Sequence, residues 1–145
     1  MGGEMSGPAI RSSGPAAGAE ATEGRAVTVL AVDDQPVFLR AAQDLIAATP
    51  GFEQVGEARS GSEALEKAAA LHPDLVLLDV RMPGMDGIET ARRLADTDPG
   101  AVVVLISLEA VPELTGCAAG HVRKQDLSVR KLRETWAVHG RRPPG

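Results

Sequence analysis

Three aspartates stand at the ends of predicted buried strands, where a carboxylate is unusual. Asp79 closes the apolar run LVLLDV, and Asp33 and Asp34 directly follow the run AVTVLAV. A buried charge without a partner is costly, so each acid needs either a turn to cap or a cation to bind. If the two strands are neighbours, the carboxylates meet, and their mutual repulsion is tolerable only with a cation. An all-oxygen ligand set is typical of a hard ion and predicts Mg²⁺ or Mn²⁺.

Two further polar residues are expected at the same edge of the sheet. Ser107 closes the apolar run AVVVLIS, and Lys124 ends the segment GHVRK. Carboxylates, a divalent ion, a hydroxyl and a lysine together are typical of phosphoryl transfer. Asp79 is then the candidate nucleophile, because carboxylates can form acyl phosphates. Taken singly, the paired aspartates would be a turn or helix cap, the serine a turn residue and the lysine a surface charge.

The elements that must position these residues alternate between strands and helices. Apolar runs predict strands at 26–32, 52–58, 75–80 and 101–107, with a short last strand near Val122. Helical patterns follow four of these strands, beginning near Pro36, Ser60, Asp86 and Ser128. In the first helix we expect Phe38, Ala41, Ala42 and Leu45 to share one apolar face.

This alternation predicts an α/β domain, a doubly wound five-stranded parallel sheet. The half-polar run FEQVGEA is best placed at an edge, and the more apolar runs belong inside. The strand order 2-1-3-4-5 satisfies both conditions, and its ligands bind beyond the carboxyl ends of the strands. We expect residues 1–25 to be a disordered tail, 26–139 the domain and 140–145 a C-terminal tail.

Composition narrows the function classes. The single cysteine, Cys117, excludes an internal disulfide and, with no secretion signal, favours the cytoplasm. No apolar run reaches the roughly 18–20 residues of a membrane helix. Basic residues outnumber acidic ones from His121 onward, but without a nucleic-acid motif this is read as a solvated helix face. We therefore expect neither membrane nor nucleic acid as a partner.

The motifs AVDDQP, LVLLDVRMPGMDGIE, VVLIS and GHVRK together resemble the receiver domain of bacterial two-component response regulators. The resemblance extends over about Val27 to Val138. The segments VDDQPVFLR and GFEQVGEARSGSEAL are most similar to the branch of this family that usually carries a helix-turn-helix output domain. The resemblance implies the flavodoxin-like receiver fold and phosphorylation of Asp79 by a histidine kinase or a phosphotransfer protein.

The resemblance also implies a role for each residue of the metal site. Asp34 and Asp79 would bind Mg²⁺ directly, with Asp33 acting mainly through water. Arg81 would contribute its backbone carbonyl, so its side chain need not be a ligand. The chain would accept a phosphoryl group on its own aspartate and hydrolyse it, without turning over a separate substrate.

Phosphorylation would then act through a switch. Ser107 would hydrogen-bond the phosphoryl oxygen and Lys124 would pair with it. His121 stands where the family usually has Tyr or Phe, and it would rotate inward beside Ser107 and add pH sensitivity. Because only 21 residues follow Lys124, we expect either a stand-alone receiver or a fragment of a longer protein. It would signal through a downstream protein, or as a homodimer on the face of its fourth helix, fifth strand and fifth helix.

The segment between Ser107 and Lys124 departs from the family, since the interval is only 17 positions and contains Pro112 and Gly116. We expect a shortened or irregular fourth helix. Two alternatives stay open. One is a receiver-like interaction module with constitutive, phosphorylation-independent contacts. The other is a phosphatase or mutase with an aspartate nucleophile, although in that class the nucleophile ends the first strand and is followed two residues later by a second aspartate.

Overall fold

The computed structural model describes residues 25–109 and 118–141. Within these residues, strands and helices alternate from Val27 to Ser107, and a strand, a 3₁₀ turn and a helix follow from Gly120 to His139. The strands are β1 (Val27–Val32), β2 (Phe52–Ala58), β3 (Leu75–Asp79), β4 (Val102–Ser107) and β5 (Gly120–Arg123). The helices are α1 (Pro36–Ala47), α2 (Gly61–Leu71), α3 (Gly87–Thr97) and α4 (Val129–His139), and a 3₁₀ turn covers Lys124–Asp126.

The strands form one parallel sheet in the order β2-β1-β3-β4-β5, which confirms the predicted fold class. The half-polar β2 lies at an edge, as predicted, and β1, β3 and β4 lie inside. A register shift between Val29 and Leu30 interrupts the pairing of β1 with β2. All carboxyl ends therefore lie at one edge of the sheet, where β1 and β3 are direct neighbours.

Alternate strand residues point into two separate apolar layers. On one face, Leu30, Val76 and Leu78 pack with the inward sides of α2 and α3. On the opposite face, Val29 and Leu77 pack with Ile46 of α1 and with Leu132 and Trp136 of α4. Covering both faces explains why the inner strands are apolar at nearly every position. The sheet is thereby held rigidly beneath its carboxyl edge.

The helices begin at the residues that the sequence indicated. Pro36 occupies the first position of α1, where a missing N–H costs nothing. Ser60, Asp86 and Ser128 each accept a hydrogen bond from the backbone N–H three residues on, at 2.9 to 3.1 Å. In the described ranges, none of these helices has the length and apolar character needed to span a bilayer.

The predicted apolar face of α1 is right only in part: Phe38, Ala42 and Leu45 are partly buried, and Ala42 packs against the core. Ala41 is exposed, and the buried residues are Leu39 and Ile46. The sequence PVFLRAAQDLIA is apolar on several sides, so helical spacing alone did not decide which side packs. The predicted fourth helix and most of the predicted tails lie outside the described residues, so α4 corresponds to the helix predicted after Lys124.

Candidate functional site

A cleft of about 390 Å³ opens at the carboxyl edge of the sheet, above the ends of β1, β3 and β4. Its lining residues are the last residues of β3 and β4 and residues that directly follow β1, β3, β4 and β5: Asp34, Gln35, Asp79, Arg81, Ser107, Leu108, Glu109 and Lys124. Residues distant in sequence meet here because every parallel strand ends at the same edge.

The three aspartates named from the sequence lie together. One carboxylate oxygen from each of Asp33, Asp34 and Asp79 lies within 4.8 Å of the others. Asp33 and Asp79 are buried, and Asp34 is partly exposed. Asp33 also accepts a hydrogen bond from the backbone N–H of Gln35 at 2.9 Å, so it caps the turn into α1 as well.

Lys124 lies between two of these carboxylates. Its Nζ is 2.9 Å from Asp33 Oδ2 and 3.5 Å from Asp79 Oδ1, and only 6% of its side chain is exposed. A single ammonium leaves a surplus of negative charge beside three carboxylates. The set has the chemistry of a divalent hard-cation site, since all three aspartate ligands are oxygens and the cleft has room for water. The residues present therefore fit Mg²⁺ or Mn²⁺.

The pKa of Asp79 is raised by its burial and by the neighbouring negative charge. Burial, and then the charge of Asp33, raise the pKa of Asp79 from 3.8 to about 6, against the lowering influence of Lys124. Because the folded-state pKa exceeds the unfolded value, this group favours folding below pH ~4, and the contribution is lost as pH rises through about 6. A cation in the cleft would relieve this repulsion.

Urea unfolding at a series of pH values, without divalent cations, tests the raised pKa of Asp79. In EDTA near neutral pH, Asp79→Asn should be more stable to urea than the wild type by roughly 2–3 kcal/mol, because the buried charge is gone. The difference should shrink toward pH ~4, where the wild-type carboxyl is protonated. Asp96→Asn on the exposed side of α3 is the control, and no comparable growth with pH is expected. A stability difference between Asp79→Asn and the wild type that is equal near pH ~4 and near neutral pH would contradict the raised pKa of Asp79.

Ser107 and His121 face each other across β4 and β5. His121 Nε2 lies 2.6 Å from the buried Ser107 Oγ, and the Ser107 hydroxyl also donates to the backbone carbonyl of Glu109. With the hydroxyl proton used on that carbonyl, the imidazole Nε2–H is the donor toward Ser107. Burial, and then the charge of Arg123, lower the pKa of His121, which favours the neutral form of the ring. The contact with Ser107 Oγ shows that the His121 ring already lies inward.

Phe38 is a residue of the site that sequence reasoning missed. The sequence places it only on the apolar face of α1, yet Lys124 Nζ lies 3.7 Å from the centroid of its ring. The available signal was its position, an aromatic residue in the first helical turn after the acidic pair. That turn starts at the carboxyl edge, so its side chains are close to the cleft.

The loop after Asp79 is shaped by two glycines. Arg81 lies on the cleft wall with an exposed side chain, and Gly84 adopts φ 76°, a conformation that other residues rarely take. Gly87 donates its N–H to the Val80 carbonyl at 2.8 Å and packs directly against the backbone at Asp79. The loop is thereby folded back onto the end of β3, which fixes the backbone of the candidate nucleophile.

Gly87→Ala is expected to destabilise the domain by about 2–3 kcal/mol, through overpacking against rigid backbone. The added Cβ would overlap the Asp79 carbonyl oxygen and lie 2.6 Å from Val80 Cα. Urea unfolding measures the effect. Gly100→Ala is the matched control, because its Cβ would meet no atom of the described residues within 4 Å, and little change is expected there. Equal stability of the two variants would contradict the close packing.

Comparison with known proteins agrees with this geometry. A family model described as the response regulator receiver domain matches residues 29–122. A protein-glutamate methylesterase/protein-glutamine glutaminase of Geobacillus kaustophilus is 45% identical over 83 residues, 57% of this chain and 24% of that protein. The nitrate/nitrite response regulator NarL of Escherichia coli K12 is 40% identical over 81 residues, 56% of this chain and 38% of NarL. The chain thus spans between about a quarter and two-fifths of these relatives.

Among solved structures, a similar chain occurs in the CheX–CheY–BeF3–Mg²⁺ complex from Borrelia burgdorferi. The TM-score is 0.71 at 27% sequence identity, and the match covers 81% of this chain and 92% of that one. Over the matched residues, that chain has the same fold as this one.

Proposed function

Because the chain belongs to the response regulator receiver domain family, we propose that it is phosphorylated on Asp79 within a two-component signalling system. One observation carries this proposal. Three carboxylates gather within 4.8 Å in an open cleft, with the Lys124 ammonium between Asp33 and Asp79. A phosphoryl acceptor needs a carboxylate nucleophile, a cation site and a fixed positive charge, and all three lie together here.

In the proposed reaction, a carboxylate oxygen of Asp79 bonds to the phosphorus of a phosphohistidine. The phosphorus–nitrogen bond breaks, and the imidazole leaves with that electron pair and takes up a proton. Lys124 supplies positive charge to the phosphoryl oxygens, and the Ser107 hydroxyl turns toward them from its bond to Glu109. Asp33, Asp34, Asp79 and the Arg81 carbonyl would hold Mg²⁺, which when bound neutralises charge on the phosphoryl group.

Family membership and the similarity to CheY also support a set of partners. The phosphoryl donor is a histidine kinase or a phosphotransfer protein, in the cytoplasm. The readout is a downstream protein or a second copy of the chain. The only turnover proposed is hydrolysis of the chain's own acyl phosphate, since the methylesterase relative is matched over 24% of its length.

A second candidate, a receiver-like module with constitutive contacts, is favoured by one observation. The Ser107 hydroxyl is already engaged by Glu109 and His121, so it needs no phosphoryl group to complete its hydrogen bonds. Calorimetric titration with beryllium fluoride separates the two candidates. Saturable binding that requires both Mg²⁺ and Asp79 is expected for a phosphoacceptor. No binding at millimolar Mg²⁺ would leave the interaction module as the better account.

A further inference from the structure

The aromatic ring of Phe38 gives Lys124 a partner outside the carboxylate cluster. The ammonium lies 3.7 Å from the ring centroid, and the lysine side chain is almost fully buried. A cation over an aromatic face is attracted by the ring quadrupole, and more strongly where water is excluded. Among the described residues, the lysine therefore has three attractive neighbours: Asp33, Asp79 and Phe38.

Only one of these neighbours keeps its attraction throughout the proposed reaction. A metal ion in the cleft competes with the ammonium for both carboxylates. Phosphorylation then converts the Asp79 carboxylate into an acyl phosphate, so the charge moves outward onto the phosphoryl oxygens. The Phe38 ring is changed by neither event.

The local structure fixes the ring where the lysine needs it. The Phe38 N–H donates to the Gln35 carbonyl at 3.0 Å, and the Gln35 N–H donates to Asp33 at 2.9 Å. The turn that carries the ring is thus tied to the carboxylate cluster itself. Phe38 also lines a small apolar cavity with Leu127, which directly follows the 3₁₀ turn that begins at Lys124.

We propose that Phe38 is a positioning residue, whose ring holds the Lys124 ammonium over the cleft while metal and phosphoryl group occupy the carboxylates. This inference rests on the proposed phosphorylation of Asp79. It assigns Phe38 no contact with the phosphoryl group, because the ring acts through the lysine.

Beryllium fluoride affinity at saturating Mg²⁺ tests the role. Phe38→Leu should bind about threefold to tenfold more weakly than the wild type, while Phe38→Trp, which keeps an aromatic face, should retain affinity. Mg²⁺ affinity measured alone should not fall in either variant. Val37→Leu, at an exposed neighbouring position of the same turn, is the control and should match the wild type. Equal weakening of Mg²⁺ and beryllium fluoride binding would indicate general damage and overturn the proposal.

A double-mutant cycle with Lys124→Met completes the test. In that background Phe38→Leu should have no further effect, because the ring then has no ammonium to hold. An undiminished effect there, or a wild-type affinity in Phe38→Leu itself, would overturn the inference and leave Asp79 phosphorylation standing. Absence of beryllium fluoride binding by the wild type would instead remove the proposed function and this role with it. NMR provides an independent readout, since ring currents should shift the Lys124 Hε protons upfield in the wild type but not in Phe38→Leu.

Discussion

Asp79→Asn should lose all phosphoryl incorporation from a small phosphodonor in the presence of Mg²⁺. An amide oxygen is a far weaker nucleophile than a carboxylate, and the substitution would also remove one of the three gathered charges. Asp79 is buried at the end of β3, the central strand of the sheet, and lies beside Lys124. Among the described carboxylates, only Asp79 combines the contact with this lysine and a place on the central strand. Intact mass spectrometry measures the result directly.

The control for this prediction is Asp96→Asn, which removes an exposed carboxylate of the same type. It should incorporate one phosphoryl group as the wild type does. Incorporation by Asp79→Asn at the wild-type level would show that another residue is the acceptor.

Lys124→Met should destabilise the metal-free domain by about 3 kcal/mol near neutral pH, the second large effect. Removing one partner of a buried ion pair leaves the other charge uncompensated, which costs far more than the pair itself contributes. Here two carboxylates, Asp33 and Asp79, would lose their ammonium. Urea unfolding in EDTA gives the size of the effect, and Mg²⁺ should recover much of the loss by replacing the missing positive charge.

Lys67→Met is the matched control for this second prediction. Lys67 also makes an ion pair, with Glu63 at 3.4 Å, but both side chains are 39% exposed. Exposed pairs contribute about 0–1 kcal/mol, so the control should change little. Similar losses in both variants would mean that the cleft is as well solvated as the surface, and the electrostatic account of the site would fail.

Topology made most of the fold predictable from the sequence. The apolar runs of β1, β3 and β4 and the half-polar β2 are sufficient to place the inner and edge strands. Proline, serine and aspartate at the helix starts set the boundaries. The face of α1 was not predictable in the same way, because Leu39 and Phe38 are both apolar, and only packing against the sheet decides between them.

The convergence of the site followed from the same topology. Once β1 and β3 are neighbours, Asp33, Asp34 and Asp79 must meet, and the structure brings them within 4.8 Å. The contact between Phe38 and Lys124 was not predictable, because it joins α1 to the segment after β5 and depends on side-chain directions. The double use of Asp33, as turn cap and as partner of Lys124, was not predictable, because either role alone explains an aspartate at the end of a strand.

The measurement that tests the central claim most directly is the location of the phosphoryl group by mass spectrometry. The wild-type protein would be incubated with Mg²⁺ and a small phosphodonor, and the acyl phosphate trapped by reduction before digestion. The structure and the family predict one modified residue, Asp79, with the label lost on treatment with base before trapping. An unchanged protein mass, or a label on Asp33 or Asp34 instead, would contradict the account.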